Sequence, residues 1–219
     1  MLADKILKFY KNVSSPSLPG DVITLNPYQN PESWKTTEKF YKKFYSDDNP
    51  RQMLFGINPG RLGGGITGIP FTDPVVLQEF CGIPNDFQKR RELSSSFIYE
   101  MIEAFGGTQN FYSRFFISAI SPLGFVWEGK NLNYYDIKNW KSMFFEPAKR
   151  WMQTQVKFGM DTSIAYSIGK GKNLKFLEEL NAELNVFDKI EYLPHPRWVM
   201  QYRLKRKDEF VKEYLEKLQ

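Results

Sequence analysis

The segment Gln52-Met-Leu-Phe-Gly-Ile57, followed at once by Asn58-Pro59-Gly60, decides how this chain folds. A short apolar run that ends abruptly at turn-forming residues is typical of a buried strand. Residues 114–120, 162–168 and 189–193 have the same character, and each of these runs also ends near a proline or glycine turn. The sequence therefore predicts four strands.

Segments with helical periodicity separate these strands. The predicted helices span residues 3–12, 32–45, 75–80, 94–105, 135–157 (one or two helices, interrupted near Pro147), 173–184 and 208–218. Strands that alternate with helices imply parallel crossover connections. We expect an α/β fold, namely a three-layer α/β/α sandwich with a central, mainly parallel sheet of four strands. Residues 1–219 are expected to form one domain, with residues 1–50 as an N-terminal helical extension packed on it.

The composition excludes several classes of protein. The 219 residues are 42% hydrophobic and 25% charged, which favours a folded core over disorder. No apolar run approaches the roughly 18 residues that a membrane-spanning helix requires, and charges near the N-terminus argue against a signal peptide. We expect a cytoplasmic protein, associated with the nucleoid if bacterial, and a monomer as the default for this size.

Metal-dependent chemistry is also disfavoured. A single cysteine, Cys81, excludes an internal disulfide and any site built from four thiolates. A single histidine, His195, excludes the usual zinc sites with two or three imidazoles. We predict no metal and no cofactor. The net charge of +5 and the aromatic content of 16% favour an anionic partner, and they supply rings for stacking on bases.

The loop after the first predicted strand is rich in glycine. Six glycines lie between Gly56 and Phe71, and they let the backbone approach a ligand closely. Asn58 follows the strand directly, so its amide is held by a rigid element. Phe71 follows a proline and could lie flat beneath a planar ligand. The alternative interpretation is a surface turn with a buried phenylalanine.

The single histidine follows the last predicted strand. His195 lies between Pro194 and Pro196, which stiffen its backbone. An imidazole, charged or neutral, can stabilise an oxygen that gains negative charge in a transition state. The alternative is a structural histidine. Because parallel strands present their carboxyl ends at one edge, we expect Asn58, Pro122 and His195 to converge there.

Two basic segments are candidates for binding phosphates. Residues 197–207 carry five cations interleaved with Trp198, Met200 and a tyrosine. This pattern is typical of a solvated helix start, and it also suits an apolar wedge that enters nucleic acid while cations hold phosphates. The turn that contains Lys170 and Lys172 opens a helix and could bind a phosphate through its N–H groups.

These motifs together resemble a known family. Gly56-Ile-Asn-Pro-Gly60, followed by Thr67-Gly-Ile-Pro-Phe71, resembles the first motif of the uracil-DNA glycosylase superfamily. The similarity is greatest to the single-strand-selective monofunctional (SMUG) branch. In particular, the segment from His195 to Arg203 resembles the last motif of a bacterial SMUG-like subgroup. The resemblance extends over residues 53–218, and it implies the α/β/α fold of that superfamily.

The resemblance implies a role for each matched residue. Asn58 would place the hydrolytic water at the sugar C1′, and His195 would donate to the uracil O2 as the glycosidic bond breaks. Phe71 would stack on the flipped base, and the backbones of Ile57 and Gly60 would line its pocket. The residues that would enter or contact DNA are Arg197, Trp198, Met200, Gln201 and Arg203. Apart from the resemblance, Lys170 and Lys172 remain candidates for contacting a DNA phosphate from their own turn.

One departure from the family pattern concerns base recognition. Other branches carry an asparagine near the end of the second strand that reads the pyrimidine edge, whereas this chain has Ile117-Ser-Ala-Ile-Ser-Pro122. The hydroxyl of Ser118 is the candidate replacement, and deaminated purines such as xanthine become plausible substrates.

The resemblance implies a monofunctional glycosylase that removes uracil and related deaminated or oxidised bases from DNA, its partner, and leaves an abasic site. The alternatives are a non-catalytic nucleic-acid-binding relative and a glycosidase of free nucleosides.

Overall fold

The computed structural model describes all 219 residues, which form ten α-helices and seven β-strands. The helices are α1 (Leu2–Asn12), α2 (Pro31–Phe44), α3 (Gly64–Thr67), α4 (Pro74–Glu79), α5 (Leu93–Ala104), α6 (Gly107–Arg114), α7 (Trp140–Val156), α8 (Lys172–Leu184), α9 (Pro196–Tyr202) and α10 (Lys207–Leu218). The strands are β1 (Ile23–Leu25), β2 (Gln52–Gly56), β3 (Phe115–Ala119), β4 (Gly124–Trp127), β5 (Lys130–Leu132), β6 (Asp161–Ile168) and β7 (Ile190–Leu193). No helix is both long and apolar enough to cross a bilayer.

Four parallel strands form the central sheet, in the order β3-β2-β6-β7. Met53, Leu54 and Phe55 of β2 are all buried, as expected for an inner strand of a parallel sheet that is covered on both faces. Helices flank this sheet. The predicted fold class, with four parallel strands between helices, is therefore confirmed.

The N-terminal helices share their hydrophobic core with the sheet. The rings of Tyr41 and Tyr45 lie 6.3 and 5.8 Å from the ring of Phe116 in β3, measured between centroids. The Tyr45 hydroxyl also donates to the main-chain oxygen of Phe115, at 2.9 Å. Buried side chains of α1 and α2 belong to the same hydrophobic cluster as those of β2 and β3.

The predicted interruption of the helix at Pro147 is wrong. Helix α7 continues through this proline from Trp140 to Val156. A proline inside a helix costs roughly 3 kcal/mol, yet Phe144, Ala148 and Trp151 are buried on both sides of it. Their packing holds the two halves of α7 in line, because tertiary burial contributes more to helix stability than local propensity does.

A second, smaller sheet was not predicted from the sequence. Its antiparallel strands lie in the order β1-β4-β5 and have only three or four residues each, too few for a clear alternating pattern. Strand β4 lies directly against the turn that follows β2. A Cβ atom at Gly124 would overlap the main-chain oxygen of Pro59, so glycine is required for this close approach.

We expect Gly124→Ala to lower the free energy of unfolding by about 1–3 kcal/mol, because the added methyl group meets backbone atoms that cannot move aside cheaply. Urea denaturation of the two proteins measures the difference. Gly20→Ala is the matched control, since no atom lies within 4 Å of the Cβ that it would add. Equal stability of the Gly124→Ala variant and the parent protein would contradict this account of the close approach.

Candidate active site

A cavity of about 100 Å³ opens at the carboxyl ends of the central strands. The loops after β2 and β7 line it together with the end of β3, so Asn58 and His195 converge as expected. Pro122 does not reach it. The lining residues are Gly56, Ile57, Asn58, Pro59, Gly60, Gly64, Pro70, Phe71, Glu92, Ser94, Ser118, Ala119, Asn131, Asn133, His195 and Arg197.

The side chain of Asn58 is clamped by the segment that follows the β4–β5 hairpin. Its Oδ1 accepts a hydrogen bond from the main-chain N–H of Tyr134 at 3.0 Å. Its Nδ2 donates to the main-chain oxygen of Leu132 at 3.2 Å. These two bonds fix the rotation of the amide and leave Oδ1 one further lone pair for a ligand or a water.

Phe71 provides an aromatic wall beside the imidazole. Its φ of 52° lies in the left-handed region that non-glycine residues rarely adopt, and such strain is common at functional sites. The ring lies against Gly56, where an added Cβ would come within 2.8 Å of a ring carbon. The ring centroids of Phe71 and His195 are 6.3 Å apart.

His195 caps the amino end of α9. Its Nδ1 accepts a hydrogen bond from the main-chain N–H of Arg197 at 3.2 Å, and Pro196 occupies the first helical position. A neutral ring that accepts at Nδ1 carries its proton on Nε2. Burial, and then the positive charge of Arg197, lower the pKa of His195 from 6.5 to about 4. The imidazole is therefore neutral at pH 7.

Ser118 does not offer its hydroxyl to the cavity. The hydroxyl donates to Oε1 of Gln155 in α7, and both side chains are fully buried. The main-chain oxygen of Ser118 lies beside Gly56 and Phe71, so position 118 contributes to the cavity through its main chain. The geometry therefore does not support base recognition by this hydroxyl.

Ile57 and Gly60 line the cavity as expected. The main-chain oxygen of Gly60 accepts hydrogen bonds from Gly63 and Gly65 at 3.2 and 2.8 Å, which fold the glycine-rich loop back on itself. Ile57 is half-buried at the cavity wall.

Glu92 is a residue of the cavity that the sequence did not reveal. It is the one acidic residue in the lining, and its carboxylate lies beside Gly60 and Gly63. Its main-chain N–H donates to Oδ2 of Asp73 at 2.8 Å. Burial, and then the charge of Asp73, raise the pKa of Glu92, and the cation of Arg197 opposes this shift. No motif surrounds position 92, so only the tertiary structure identifies it.

Asp73 acts on the cavity indirectly. Its side chain is fully buried and caps α4, where Oδ1 accepts from the main-chain N–H groups of Val75 and Val76 at 2.8 and 3.0 Å. Its second oxygen holds the backbone of Glu92. Asp73 therefore positions the segment that carries Glu92 and does not line the cavity itself.

Of the candidate DNA-contacting residues, the structure brings only Arg197 to the cavity. Residues 196–202 form helix α9, on which Trp198 is 40% exposed while Met200 packs against the core. The guanidinium of Arg203 lies over the Trp198 ring at 5.0 Å. Gln201 is exposed on the same helix.

Lys170, in the turn before α8, and Lys172, the first residue of α8, do not line the cavity. Lys172 forms an ion pair with Asp136 at 3.5 Å and lies over the Tyr135 ring. Lys170 lies over the ring of Tyr192 at 5.2 Å. Both lysines are exposed, so they remain candidates for binding DNA away from the cavity.

One cavity at the edge of a parallel sheet is surrounded by an Asn-Pro-Gly turn, an aromatic wall and a His-Pro turn. This combination defines a class of protein. The model of the uracil-DNA glycosylase superfamily matches residues 43–219, and the chain belongs to this superfamily. Membership supports a uracil-DNA glycosylase type of function, with DNA as a partner. None of the curated proteins matches this chain.

A solved structure shows which branch of the superfamily this chain resembles. The crystal structure of wild-type SMUG2 from Pedobacter heparinus is 40% identical in sequence to this chain. The two superimpose with a TM-score of 0.93, over 98% of this chain and 95% of the other. The resemblance to a bacterial SMUG-like subgroup is thus confirmed.

We expect the single imidazole to titrate near pH 4. Because the chain has one histidine, its ring resonances in a ¹H NMR titration are assigned without ambiguity. Its pKa is lower in the folded chain than in the unfolded chain, so its contribution to stability is present above pH 6.5 and is lost as the pH falls toward 4. A midpoint between 6 and 7 would contradict the buried, neutral ring.

We expect Glu92→Gln to stabilise the protein at pH 7. A raised carboxyl pKa means that the folded state binds the proton more tightly than the unfolded state, so ionisation of Glu92 destabilises the fold as the pH rises above 4.5. Urea midpoints at pH 7 and pH 4.5 test this, with a gain expected only at pH 7. Glu146→Gln, at an exposed position, is the control. A Glu92→Gln variant less stable than the parent at pH 7 would show that the charge is well compensated.

Proposed function

We propose that this protein is a monofunctional DNA glycosylase that hydrolyses the N-glycosidic bond of uracil and of related deaminated or oxidised bases in DNA. The product is DNA with an abasic site. The observation that carries this proposal is the convergence of Asn58, Phe71 and His195 on one cavity in a chain of this superfamily.

The cavity suits a base that has left the DNA stack. Flipping a nucleotide costs a few kcal/mol, which interactions in the pocket must offset. The ring of Phe71 offers a stacking surface, and the absence of a Cβ at Gly56 leaves room for that ring. The cavity volume of about 100 Å³ is small, which suits a planar base better than a whole nucleotide.

In this proposal Asn58 orients the attacking water. Its amide is already fixed by Tyr134 and Leu132, so little reorganisation is needed when substrate binds. A neutral amide is a poor general base, and the reaction therefore depends on stabilising the departing base as the glycosidic bond breaks. The water adds to C1′ and its proton is released as the base leaves as an anion.

His195 stabilises that anion. With Nδ1 engaged by the backbone of Arg197, the proton on Nε2 is available to the O2 of the base. A preorganised donor aimed at a developing oxyanion contributes on the order of 10²–10³ in rate. Because the ring is neutral at pH 7, it acts as a hydrogen-bond donor through Nε2–H and keeps its proton.

Base selection follows from the polar groups that remain. With the hydroxyl of Ser118 engaged elsewhere, the side-chain amides of Asn131 and Asn133 and the nearby main chain are the groups that could read a base edge. Neither amide stands near the end of β3, where other branches carry the asparagine that reads the pyrimidine edge, which supports a range that includes xanthine. No lysine lines the cavity, which supports hydrolysis without a Schiff base and without strand cleavage.

We expect Asn58→Ala and His195→Ala each to reduce single-turnover base release by about 10²-fold or more, with DNA affinity nearly unchanged. Labelled oligonucleotides with uracil, hydroxymethyluracil, xanthine or hypoxanthine are incubated with protein in EDTA and then cut with alkali at abasic sites. Asn12→Ala, an exposed asparagine in α1, is the control and retains full activity.

Two results would overturn this proposal. Salt-dependent DNA binding with no release of any base indicates a non-catalytic nucleic-acid-binding relative. Release of base from free deoxynucleosides, without a requirement for DNA, indicates a nucleoside glycosidase. Full activity of either alanine variant would refute the mechanistic role proposed for that residue, Asn58 or His195.

A further inference from the structure

A large cleft lies between α1 and α7, at the opposite edge of the central sheet from the base cavity. It has a volume of about 710 Å³ and fourteen lining residues, none of them acidic. Phe158 in its lining comes three residues before Asp161, where β6 begins, so the cleft lies at the amino end of that strand. The eight residues of β6 span about 26 Å, and the cavity lies beyond their carboxyl end.

The floor of the cleft is apolar. The rings of Phe9 in α1 and Phe158 after α7 lie 6.0 Å apart, measured between centroids, and close the bottom of the cleft. Burial of apolar surface stabilises a complex, so this floor favours a ligand with an apolar side chain. The apolar lining residues are Phe9, Val13, Pro16, Pro147, Trp151 and Phe158.

Cations stand on both walls of the cleft. Lys5 and Lys8 lie on α1, while Arg150 lies on α7 and Lys157 directly after its last residue. Lys5 already pairs with Asp48 at 3.3 Å. The other three are exposed and have no carboxylate within ion-pair distance. Three uncompensated cations above an apolar floor match a ligand that is acidic and apolar at once.

The spacing of two of these cations matches an extended peptide. Arg150 and Lys157 are seven residues apart, which places them on one face of the helix with a rise of about 10.5 Å between them. An extended chain covers that distance in about three residues. Carboxylates about three residues apart in a peptide can therefore reach both cations, with Lys8 on the opposite wall.

One rim of the cleft offers free main-chain donors. Residues 13–22 connect α1 to β1, and Ser14 and Ser15 of this connection belong to the lining. Their main-chain N–H groups donate to no other residue of the chain. Such donors can bond to the main chain of a bound peptide, in the way that exposed strand edges do.

We propose that this cleft, called the α1–α7 cleft below, is a docking site for an acidic peptide segment of a partner protein, in which a bulky apolar side chain lies between carboxylates. The apolar side chain packs on the floor beside Trp151, and the carboxylates pair with Lys8, Arg150 and Lys157. The α1–α7 cleft shares no residue with the base cavity, so this inference does not depend on the proposed function.

The lining favours a peptide over a nucleic acid. The cationic groove beside the base cavity, which contains Arg61, Arg90 and Lys130, has only two apolar residues among ten. The α1–α7 cleft has six among fourteen, two of them prolines, and its three aromatic residues are at most 9% exposed. Single strands gain sequence-tolerant affinity by stacking bases on open aromatic faces, and this cleft presents none.

The test measures peptide binding to the whole chain by fluorescence anisotropy. The probe is a short fluorescein-labelled peptide in which aspartates flank one phenylalanine. Two matched peptides replace either the aspartates by serines or the phenylalanine by alanine, and each should bind on the order of 10-fold more weakly, because ion pairs and apolar burial both contribute. Absence of binding of the first peptide at about 1 mM, or equal binding of all three, would overturn the proposal.

Two triple variants with equal reduction of charge locate the peptide. Lys8→Ala, Arg150→Ala and Lys157→Ala should together raise the peptide Kd on the order of 10-fold, because three ion pairs are lost. The control removes three exposed lysines without ion-pair partners that lie outside both the cleft and the cavity, namely Lys35→Ala, Lys39→Ala and Lys175→Ala. The control should keep the parent Kd. An unchanged Kd in the first variant, or an equal rise in the control, would contradict the docking site.

A single substitution tests the same site without removing a cation. Thr154 is exposed in the lining, between Arg150 and Lys157 on α7, so Thr154→Glu places a negative charge where the peptide carboxylates are expected. It should also raise the peptide Kd. Gln153→Glu adds the same charge at the neighbouring exposed position, outside the lining, and should leave the Kd unchanged. Far-UV circular dichroism checks that both variants are folded. Equal effects of the two substitutions would refute the placement of the peptide.

A nucleic-acid site would give a different result. An undamaged single-stranded oligonucleotide should bind the parent protein and the first triple variant equally. Weaker binding of the oligonucleotide, or slower base release, in that variant but not in the lysine control would show that the cleft contacts DNA, and would overturn the proposal. Peptide binding is measured whether or not the protein releases a base, so failure of the proposed function leaves the docking site fully testable.

Discussion

The rest of the site depends on the clamp that holds Asn58 between two sheets. The residue follows β2 of the central sheet, and both ends of its amide bond to the backbone at and beyond the end of β5. Gly124 allows β4 to approach the Pro59 oxygen closely enough for this clamp to form. A side chain that sits at the end of a buried strand and is fixed by a second sheet has little freedom, which is what preorganisation of a water or ligand requires.

The titratable groups inside the cavity differ in their surroundings from the cations at its rim. Inside it, burial lowers the pKa of His195 and raises the pKa of Glu92, so both groups are shifted toward their neutral forms. At the rim, Arg61, Arg90 and Lys130 stay exposed and unpaired. Groups with perturbed pKa values inside a cleft are also typical of functional sites, and Glu92 fits that description although no sequence motif marks it.

The similarity to SMUG2 of Pedobacter heparinus agrees with this architecture over nearly the whole chain. Residues 1–42 lie outside the family match, which begins at residue 43, yet α1 and α2 contribute buried rings to the core of the sheet. Tyr41 and the adjacent Tyr45 pack against Phe116 in β3, the strand whose end borders the cavity. The N-terminal segment therefore packs on β3 near its amino end, away from the strand ends that border the cavity.

The sequence by itself determined the four parallel strands, the family and the positions of Asn58, Phe71 and His195, because strand ends and turn residues are encoded by short local patterns. Only the tertiary structure decided what those residues touch. Tyr134, one hydrogen-bond partner of Asn58, lies 76 residues away in the sequence. Asp73 holds Glu92 at the cavity, and the hydroxyl of Ser118 donates to Gln155. Interactions between segments so far apart in sequence arise from packing of the whole chain, and no local sequence pattern predicts them.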